Sequence, residues 1–286
     1  MRIQHQLLLY CYSLFLIFFV TTTLISPSLG DLGKCNPSDY KALMKFKKSL
    51  NNHDELISWV QNTDCCHWGG VSCDSQPNRV AGLFFIGGGN SGQIPSSVGD
   101  LPYLLSFVFR NSKNITGSIP QSITNLKHLA NIFLDWNKLT GSIPESFGRF
   151  TGMDRLHLSR NKLTGPIPKS LGDLNIIQID LSRNKLVGDA SMLFNPNHGL
   201  TTYVDLSRKQ FEFDLTMVKF PKDLNWLDIS HNKVFGGIPD EIKDLDNLYN
   251  LKVGYNRLCG KIPTGGNMHR FKSTSFFIIS VFAGRH

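Results

Sequence analysis

The sequence predicts an α/β repeat solenoid whose short parallel strands line a concave face, and three observations predict it. A frame recurs: residues 156–168 read L-H-L-S-R-N-K-L-T-G-P-I-P, 132–144 read I-F-L-D-W-N-K-L-T-G-S-I-P, and 227–239 read L-D-I-S-H-N-K-V-F-G-G-I-P. The repeat returns about every 24 residues, the length of one coil in such proteins. Apolar, Asn, Gly and Pro positions recur together, which a chance apolar pattern does not do.

Each part of the frame has a physical reason. Leu-x-Leu is a short strand with one face buried, so the intervening residues point outward. The Asn then turns inward, where its amide bonds backbone groups that no regular ladder reaches. Gly allows the bend, and Ile-Pro ends a second extended segment at an edge where a missing N–H is harmless. One coil cannot bury its own core, whereas a stack of coils can. The predicted fold is therefore a right-handed leucine-rich repeat superhelix with a parallel concave sheet and a second short sheet. The Asn position is read through Asn114, Asn137, Asn161, Asn184, Asn232 and Asn256, with Lys209 in its place in one coil. A degenerate first coil precedes them, giving about eight coils over 79–265. The coils at Gly188-Asp189-Ala190-Ser191 and at Lys209 lose Ile-Pro, so local irregularity is expected on the convex side.

Residues 1–30 read as a secretory signal: Arg2 starts it, 7–20 form its apolar core, and Ser28-Leu29-Gly30 are small residues at the cut. Residues 31–78 form a cysteine-rich N-terminal cap. Within it 39–50 suits an amphipathic helix capped by Ser38. Cys35, Cys65, Cys66 and Cys73 favour two disulfides over a metal site in a secreted segment, and the sequence alone leaves three pairings open. His67 reads as a surface residue, no cofactor or metal is expected, and the cap seals the open end of the solenoid. Asn114-Ile115-Thr116 is the single glycosylation sequon, and two extra residues in 110–113 offer the alternative of a turn that bulges outward and exposes the amide. Residues 266–286 are an atypical tail, with Cys259 unpartnered and an apolar run at 275–283 too short to span a membrane. An uncovered last coil is expected there.

The net charge is +8 and the pI about 9.2, which suits an acidic partner or polyanionic surroundings. No Lys/Arg-rich run or aromatic-basic module supports nucleic acid.

With these residues in view, the chain resembles the plant polygalacturonase-inhibiting proteins over about 35–271. The resemblance rests on Cys35-Asn36-Pro37 with Asp64-Cys65-Cys66, on Val98-Gly99-Asp100-Leu101-Pro102-Tyr103-Leu104, and on Gly188-Asp189-Ala190-Ser191-Met192. It rests also on Val204-Asp205-Leu206-Ser207-Arg208 with Phe211-Glu212-Phe213-Asp214-Leu215, and on Tyr255-Asn256-Arg257-Leu258-Cys259-Gly260. Shared departures from the frame are more specific than the frame itself. The resemblance implies the plant-type second sheet, the pairings Cys35–Cys65 and Cys66–Cys73, and a secreted cell-wall protein that blocks fungal endo-polygalacturonases. The family has about ten coils and a cysteine-rich C-terminal cap, and this chain is about two coils shorter and lacks that cap.

The outward rows follow from counting back from each Asn position. The fourth residue back gives Phe133, His157, Asp180, Asp205, Asp228 and Lys252. The second gives Asp135, Ser159, Ser182, Ser207, Ser230 and Gly254, and the first gives Trp136, Arg160, Arg183, Arg208, His231 and Tyr255. Adjacent strands lie about 4.8 Å apart, so three aspartates in one row repel one another and folding gains nothing from them. These rows are the expected partner-binding face, and Arg160, Arg183 and Arg208 are the expected contacts for pectin (homogalacturonan) carboxylates. Ser207, Asp228 and His231 share the face without a nucleophile turn or enclosed pocket, so no enzyme is expected.

The expectation is a secreted, extracellular, monomeric cell-wall protein without a membrane span. It inhibits fungal endo-polygalacturonase in defence by sterically and electrostatically occupying the surface near its cleft. The alternative is a non-inhibitory recognition or pectin-binding protein, either a receptor-like ectodomain or a degenerate copy.

Overall fold

The structure, a computed structural model, describes residues 35–50, 54–74, 78–89, 91–112, 114–197 and 199–277. The predicted signal segment 1–30 and residues 278–286 lie outside them.

The concave sheet is built from β1 (Val71–Cys73), β2 (Val80–Ile86), β3 (Ser106–Arg110), β4 (Asn131–Phe133), β5 (Arg155–His157), β6 (Gln178–Asp180), β7 (Tyr203–Asp205), β8 (Trp226–Asp228) and β9 (Asn250–Lys252). They pair in chain order, nine strands among the described residues; β1 runs antiparallel to β2 and the other eight are parallel. The inward residues of each coil, such as Leu156 with Leu158, Ile179 with Leu181 and Val204 with Leu206, are at most 2% exposed. Full burial of each such side chain is worth about 1.5–3 kcal/mol.

The asparagine ladder forms as the frame predicts. Asn161 Nδ2 donates to Leu134 O and Leu158 O at 2.8 and 3.0 Å, and Oδ1 accepts from Leu139 N at 2.9 Å. Asn137, Asn184, Asn232 and Asn256 make the same three kinds of bond. Asn114 is a correction. Its coil holds one extra residue after the turn, so Ser112 occupies the inward position, its N–H donating to Asn137 Oδ1 at 3.0 Å and its Oγ to Gly87 O at 3.0 Å. Asn114 is exposed at the start of a lateral strand, Asn114–Thr116.

Among the described residues the lateral strands form three small sheets, the largest joining Thr164–Pro166, Lys185–Gly188 and Gln210–Phe211. On the convex side, coils with Ile-Pro end in five-residue 3₁₀ turns such as Glu145–Arg149 and Lys169–Asp173. The two coils without Ile-Pro have three-residue turns, Ser191–Leu193 and Leu215–Met217.

In the cap, helix α1 (Pro37–Ser49) starts two residues earlier than expected. Asn36, not Ser38, is its N-cap, and its side chain accepts from Ser38 N with Pro37 in the first turn. Such placement is favoured because Pro lacks the N–H that the first turn leaves unpaired. Leu43 and Phe46 are fully buried, and Phe46 stacks on Phe85 with centroids 5.6 Å apart. Buried Asp39 takes Arg79 Nη2 and Nε at 2.7 and 2.8 Å and Val80 N at 2.9 Å, tying α1 to β2. The disulfides are Cys35–Cys65 and Cys66–Cys73, with Cα separations of 5.3 and 5.4 Å. His67 is exposed and contacts Asp64 at 3.1 Å.

The C-terminal end differs from the expectation of an uncovered coil. Val253 N and Gly254 N donate to Ser275 O at 3.0 and 2.9 Å, and Tyr255 N donates to Phe277 O at 2.8 Å. Ile229 N donates to Lys252 O in the same way one coil earlier, so 273–277 sit where the next strand would run. Met268 is buried and Phe271 and Phe276 pack on the core.

Candidate functional site: the concave face

Strand register brings Phe133, His157, Asp180, Asp205, Asp228 and Lys252 into one row of direct Cα partners. The turn that follows each strand is built alike. Oδ1 of Asp180, Asp205 and Asp228 accepts the N–H of Ser182, Ser207 and Ser230 at 3.0, 2.9 and 3.0 Å. The expectation that folding gains nothing from the aspartate row is thereby corrected: each one closes a turn. The next residue is left-handed in every coil, with φ of 58° at Trp136, 53° at Arg160, 54° at Arg183, 59° at Arg208 and His231, and 57° at Tyr255. That conformation costs a non-glycine residue about 1–2 kcal/mol. It is held by inter-coil bonds, Arg160 N to Ser182 O at 2.9 Å and Arg183 N to Ser207 O at 3.1 Å.

Burial divides the predicted residues. Ser159, Ser182 and Ser207 are 4–7% exposed and form a shelf between the acidic and basic rows. Asp135 is 2% exposed, and its Oδ2 takes Arg110 Nη2 at 2.8 Å and Nε at 3.0 Å. Asp228 accepts Ser230 Oγ at 2.6 Å and lies 3.5 Å from Lys252 Nζ. Asp180 and Asp205 are half-buried, while Arg183, Arg208 and Trp136 are exposed. Arg160 lies over the Trp136 ring at 3.7 Å, and His231 stacks on Tyr255 at 4.1 Å. Ser207, Asp228 and His231 do not assemble into a relay, because Asp228 serves Ser230 and Lys252 and the His231 ring lies against Tyr255.

These rows line a groove of about 460 Å³ that runs from Arg110 and Trp136 to Thr274 and Ser275. Its electrostatics follow from burial and crowding. Burial, then the charge of Asp180, pushes the Asp205 carboxyl up to about 6 against the N–H of Ser207. Burial lowers His157 against the pull of Asp180 and Asp135. Burial brings Lys209 down to about 6. Lys209 is 8% exposed and its Nζ has no hydrogen-bond partner among the described residues.

Sequence reasoning named Phe133 and His157 but missed Tyr203, Trp226 and Tyr249, which extend them into an aromatic strip. His157 packs on Phe133 at 4.7 Å and on Tyr203 at 6.2 Å, Tyr203 stacks on Trp226 at 5.4 Å, and Trp226 meets Tyr249 at 6.0 Å. Tyr203 and Trp226 lie two residues before Asp205 and Asp228, so the period of two along a strand was the signal that would have found them. Arg110 was missed because its coil carries the extra residue.

Residues 36–74 match the leucine rich repeat N-terminal domain, and 128–150, 153–174 and 223–245 match the leucine rich repeat. A polygalacturonase inhibitor of Vitis vinifera is 44% identical over 323 aligned positions, covering 95% of each chain. Polygalacturonase inhibitor 1 of Arabidopsis thaliana is 46% identical, covering 92% of this chain and 93% of its own. Since 95% of 286 residues is about 272, the grape protein supplies about 50 aligned positions that this chain lacks, the length of about two coils. Among solved structures, a plant ice-binding protein aligns with TM-score 0.60 at 34% identity, covering 88% of this chain and 96% of its own. The leucine-rich repeat ectodomain of a plant membrane receptor kinase from Arabidopsis thaliana aligns with TM-score 0.75 at 28% identity, covering 85% of this chain and 30% of its own. Identity of this order over nearly the whole length, irregular coils included, places the chain in the polygalacturonase-inhibitor family of leucine-rich repeat proteins.

Proposed function

We propose that this protein binds and inhibits polygalacturonases, with the endo-acting enzymes of fungi as its targets in plant defence. Near full-length identity to polygalacturonase inhibitors is the observation that carries the reading. The concave groove supports it, because a wide, polar, two-signed surface suits a protein partner better than a small molecule. In this reading Asp180 and Asp205 meet basic groups of the enzyme, with Phe133, His157, His231 and Lys252 around them. Inhibition is steric and electrostatic, by occupation of the surface near the cleft, and no catalytic step is assigned to this chain. Homogalacturonan is proposed as a second partner, its carboxylates held by Arg160, Arg183 and Arg208. The protein is read as a secreted, monomeric cell-wall glycoprotein, with two cap disulfides and an exposed Asn114 in support. No helix among the described residues is long and apolar enough to cross a membrane.

The two coils' worth of missing positions favours a second reading, a recognition or wall-binding protein that has lost inhibition. Titrating the secreted chain against fungal endo-polygalacturonases, with reducing ends released from polygalacturonate as readout, separates the two. Saturable loss of activity is expected. Full activity in the presence of a protein that melts cooperatively would transfer the assignment to the second reading.

A further inference from the structure

The segment 273–277 takes the place of only half a strand. Along the concave sheet, one carbonyl at each strand start accepts two N–H groups of the next coil. Asp154 O accepts from Ile177 N and Gln178 N, Thr202 O from Asn225 N and Trp226 N, and Asn225 O from Tyr249 N and Asn250 N. Tyr249 O comes next in this series, and no backbone N–H of the described residues reaches it. The bonds to Ser275 and Phe277 start further along, at Val253, Gly254 and Tyr255. Beside the first half of β9 this leaves a pocket of about 390 Å³, lined by Tyr249, Asn250, Lys252, Arg270, Phe271 and Lys272 among others.

Three features of the pocket point to a ligand. Asn250 Nδ2 is buried and has no hydrogen-bond partner among the described residues, a state that is rare for an amide donor. Asn131 holds the same row position in β4, and it bonds both row neighbours: Nδ2 donates to Ser106 Oγ at 3.2 Å and Oδ1 accepts from Arg155 Nη1 at 3.1 Å. Asn250 has a row neighbour on one side only, Trp226. The charge is one-signed. Lys252, Arg270 and Lys272 share the lining, and no carboxylate is part of it. Lys252 also serves Asp228 at 3.5 Å, whereas Arg270 and Lys272 are exposed and enter no ion pair among the described residues. Arg270 Nη1 donates to Asp246 O at 2.7 Å, which steadies the guanidinium. Two rings complete the lining, Tyr249, 64% exposed, and half-buried Phe271. A few hundred cubic ångströms with apolar walls and a few convergent polar groups is the make of a small-molecule site.

We propose that this pocket binds a small organic anion with a flat apolar body, its charged oxygens on Asn250 Nδ2, Arg270 and Lys272 and its body against Tyr249 and Phe271. The ligand bridges β9 and the segment that follows the last coil, so its binding holds 270–277 in place. The site is separate from the concave rows and does not depend on the inhibitory reading.

A nuclear magnetic resonance titration of the full secreted chain with 3-phenylpropionate, and with 3-phenylpropionamide as its uncharged match, tests this. The carboxylate should shift the amides of Tyr249, Asn250 and Lys272 saturably and slow exchange at Val253, Gly254 and Tyr255, and the amide compound should do neither at equal concentration. Arg270→Gln/Lys272→Gln should bind about tenfold more weakly, roughly a factor of three for each exposed cation. Lys272→Gln alone should lose its share at an unchanged melting temperature, which separates binding from folding. Asn250→Leu removes the unpaired donor, so the free protein should melt no lower while affinity falls by about tenfold. Equal binding of carboxylate and amide compound would overturn the anion site. So would affinity indifferent to both Asn250→Leu and Lys272→Gln, or no saturable shift up to the solubility of 3-phenylpropionate.

Discussion

Arg110 donates two hydrogen bonds to a single oxygen of Asp135, while Asp135 Oδ1 is buried without a partner among the described residues. The carboxylate is 2% exposed, so removing the guanidinium leaves an uncompensated charge inside the sheet. Arg110→Ala and Asp135→Ala should each lower stability by about 1–3 kcal/mol. The double variant should lose less than the sum, as urea melts in a double-mutant cycle would show. Additive losses would mean the two groups are not coupled in solution. A stable Asp135→Ala protein with a weaker partner complex would return Asp135 to the contact surface.

The concave rows were legible because the frame fixes which residues face outward, and the coils of 132–168 carry it without a gap. What was not legible lies where one coil departs in length or one role is doubled. The extra residue before Asn114 shifted the inward position to Ser112, and no count on a single coil distinguishes the two. The aspartates were read as charges alone because their second role, accepting a serine N–H two residues on, shows only once the turn is closed. The closing segment at 273–277 was missed for a different reason. It lacks Leu-x-Leu, and its backbone rather than its side chains pairs with the last strand.

Lys209 sits where five coils place an asparagine, and it makes none of the ladder bonds with Nζ. Lys209→Asn should restore them and raise stability by about 1–3 kcal/mol near neutral pH. The pH dependence is set by the sign of the shift. The folded-state value is about 6, below the roughly 10.4 of an unfolded chain. Between these values the unfolded chain binds more protons, so the parent gains stability as pH rises, and the full penalty applies below about 6. Urea midpoints at pH 5, 7 and 9 should show the advantage of Lys209→Asn shrinking upward. A constant gap would place the amine in water.

Asp205 titrates in the opposite sense. Its folded-state value of about 6 lies above the unfolded carboxylate, so the group lowers stability as pH rises through that interval. Below pH 6 the groove loses this negative charge while Lys209 gains a positive one. Binding of a partner through basic groups should therefore weaken between pH 7 and pH 5. Asp205→Asn should flatten the change and cost about 2–10-fold in affinity at pH 7. Calorimetric titrations at the two pH values check it. Equal pH dependence in parent and variant would remove Asp205 from the contact.

Gly254 ends the row that carries serine in the four preceding coils, and the reason lies in the closing segment. A Cβ added at Gly254 would stand 2.9 Å from both N and O of Phe277. Two backbone atoms cannot yield as a flexible side chain can, so Gly254→Ala must push 273–277 off the last strand. That breaks the bonds from Val253, Gly254 and Tyr255 to Ser275 and Phe277, and it uncovers the core beneath Phe271 and Phe276. A loss of about 1–3 kcal/mol is expected, together with faster amide exchange at Val253, Gly254 and Tyr255. The chain truncated after Lys272 should show the same exchange pattern, because it lacks the same acceptors. Adding Gly254→Ala to the truncated chain should then cost little. A full further loss in the truncated protein would mean that the glycine serves the last coil itself, with no part in seating the segment that closes it.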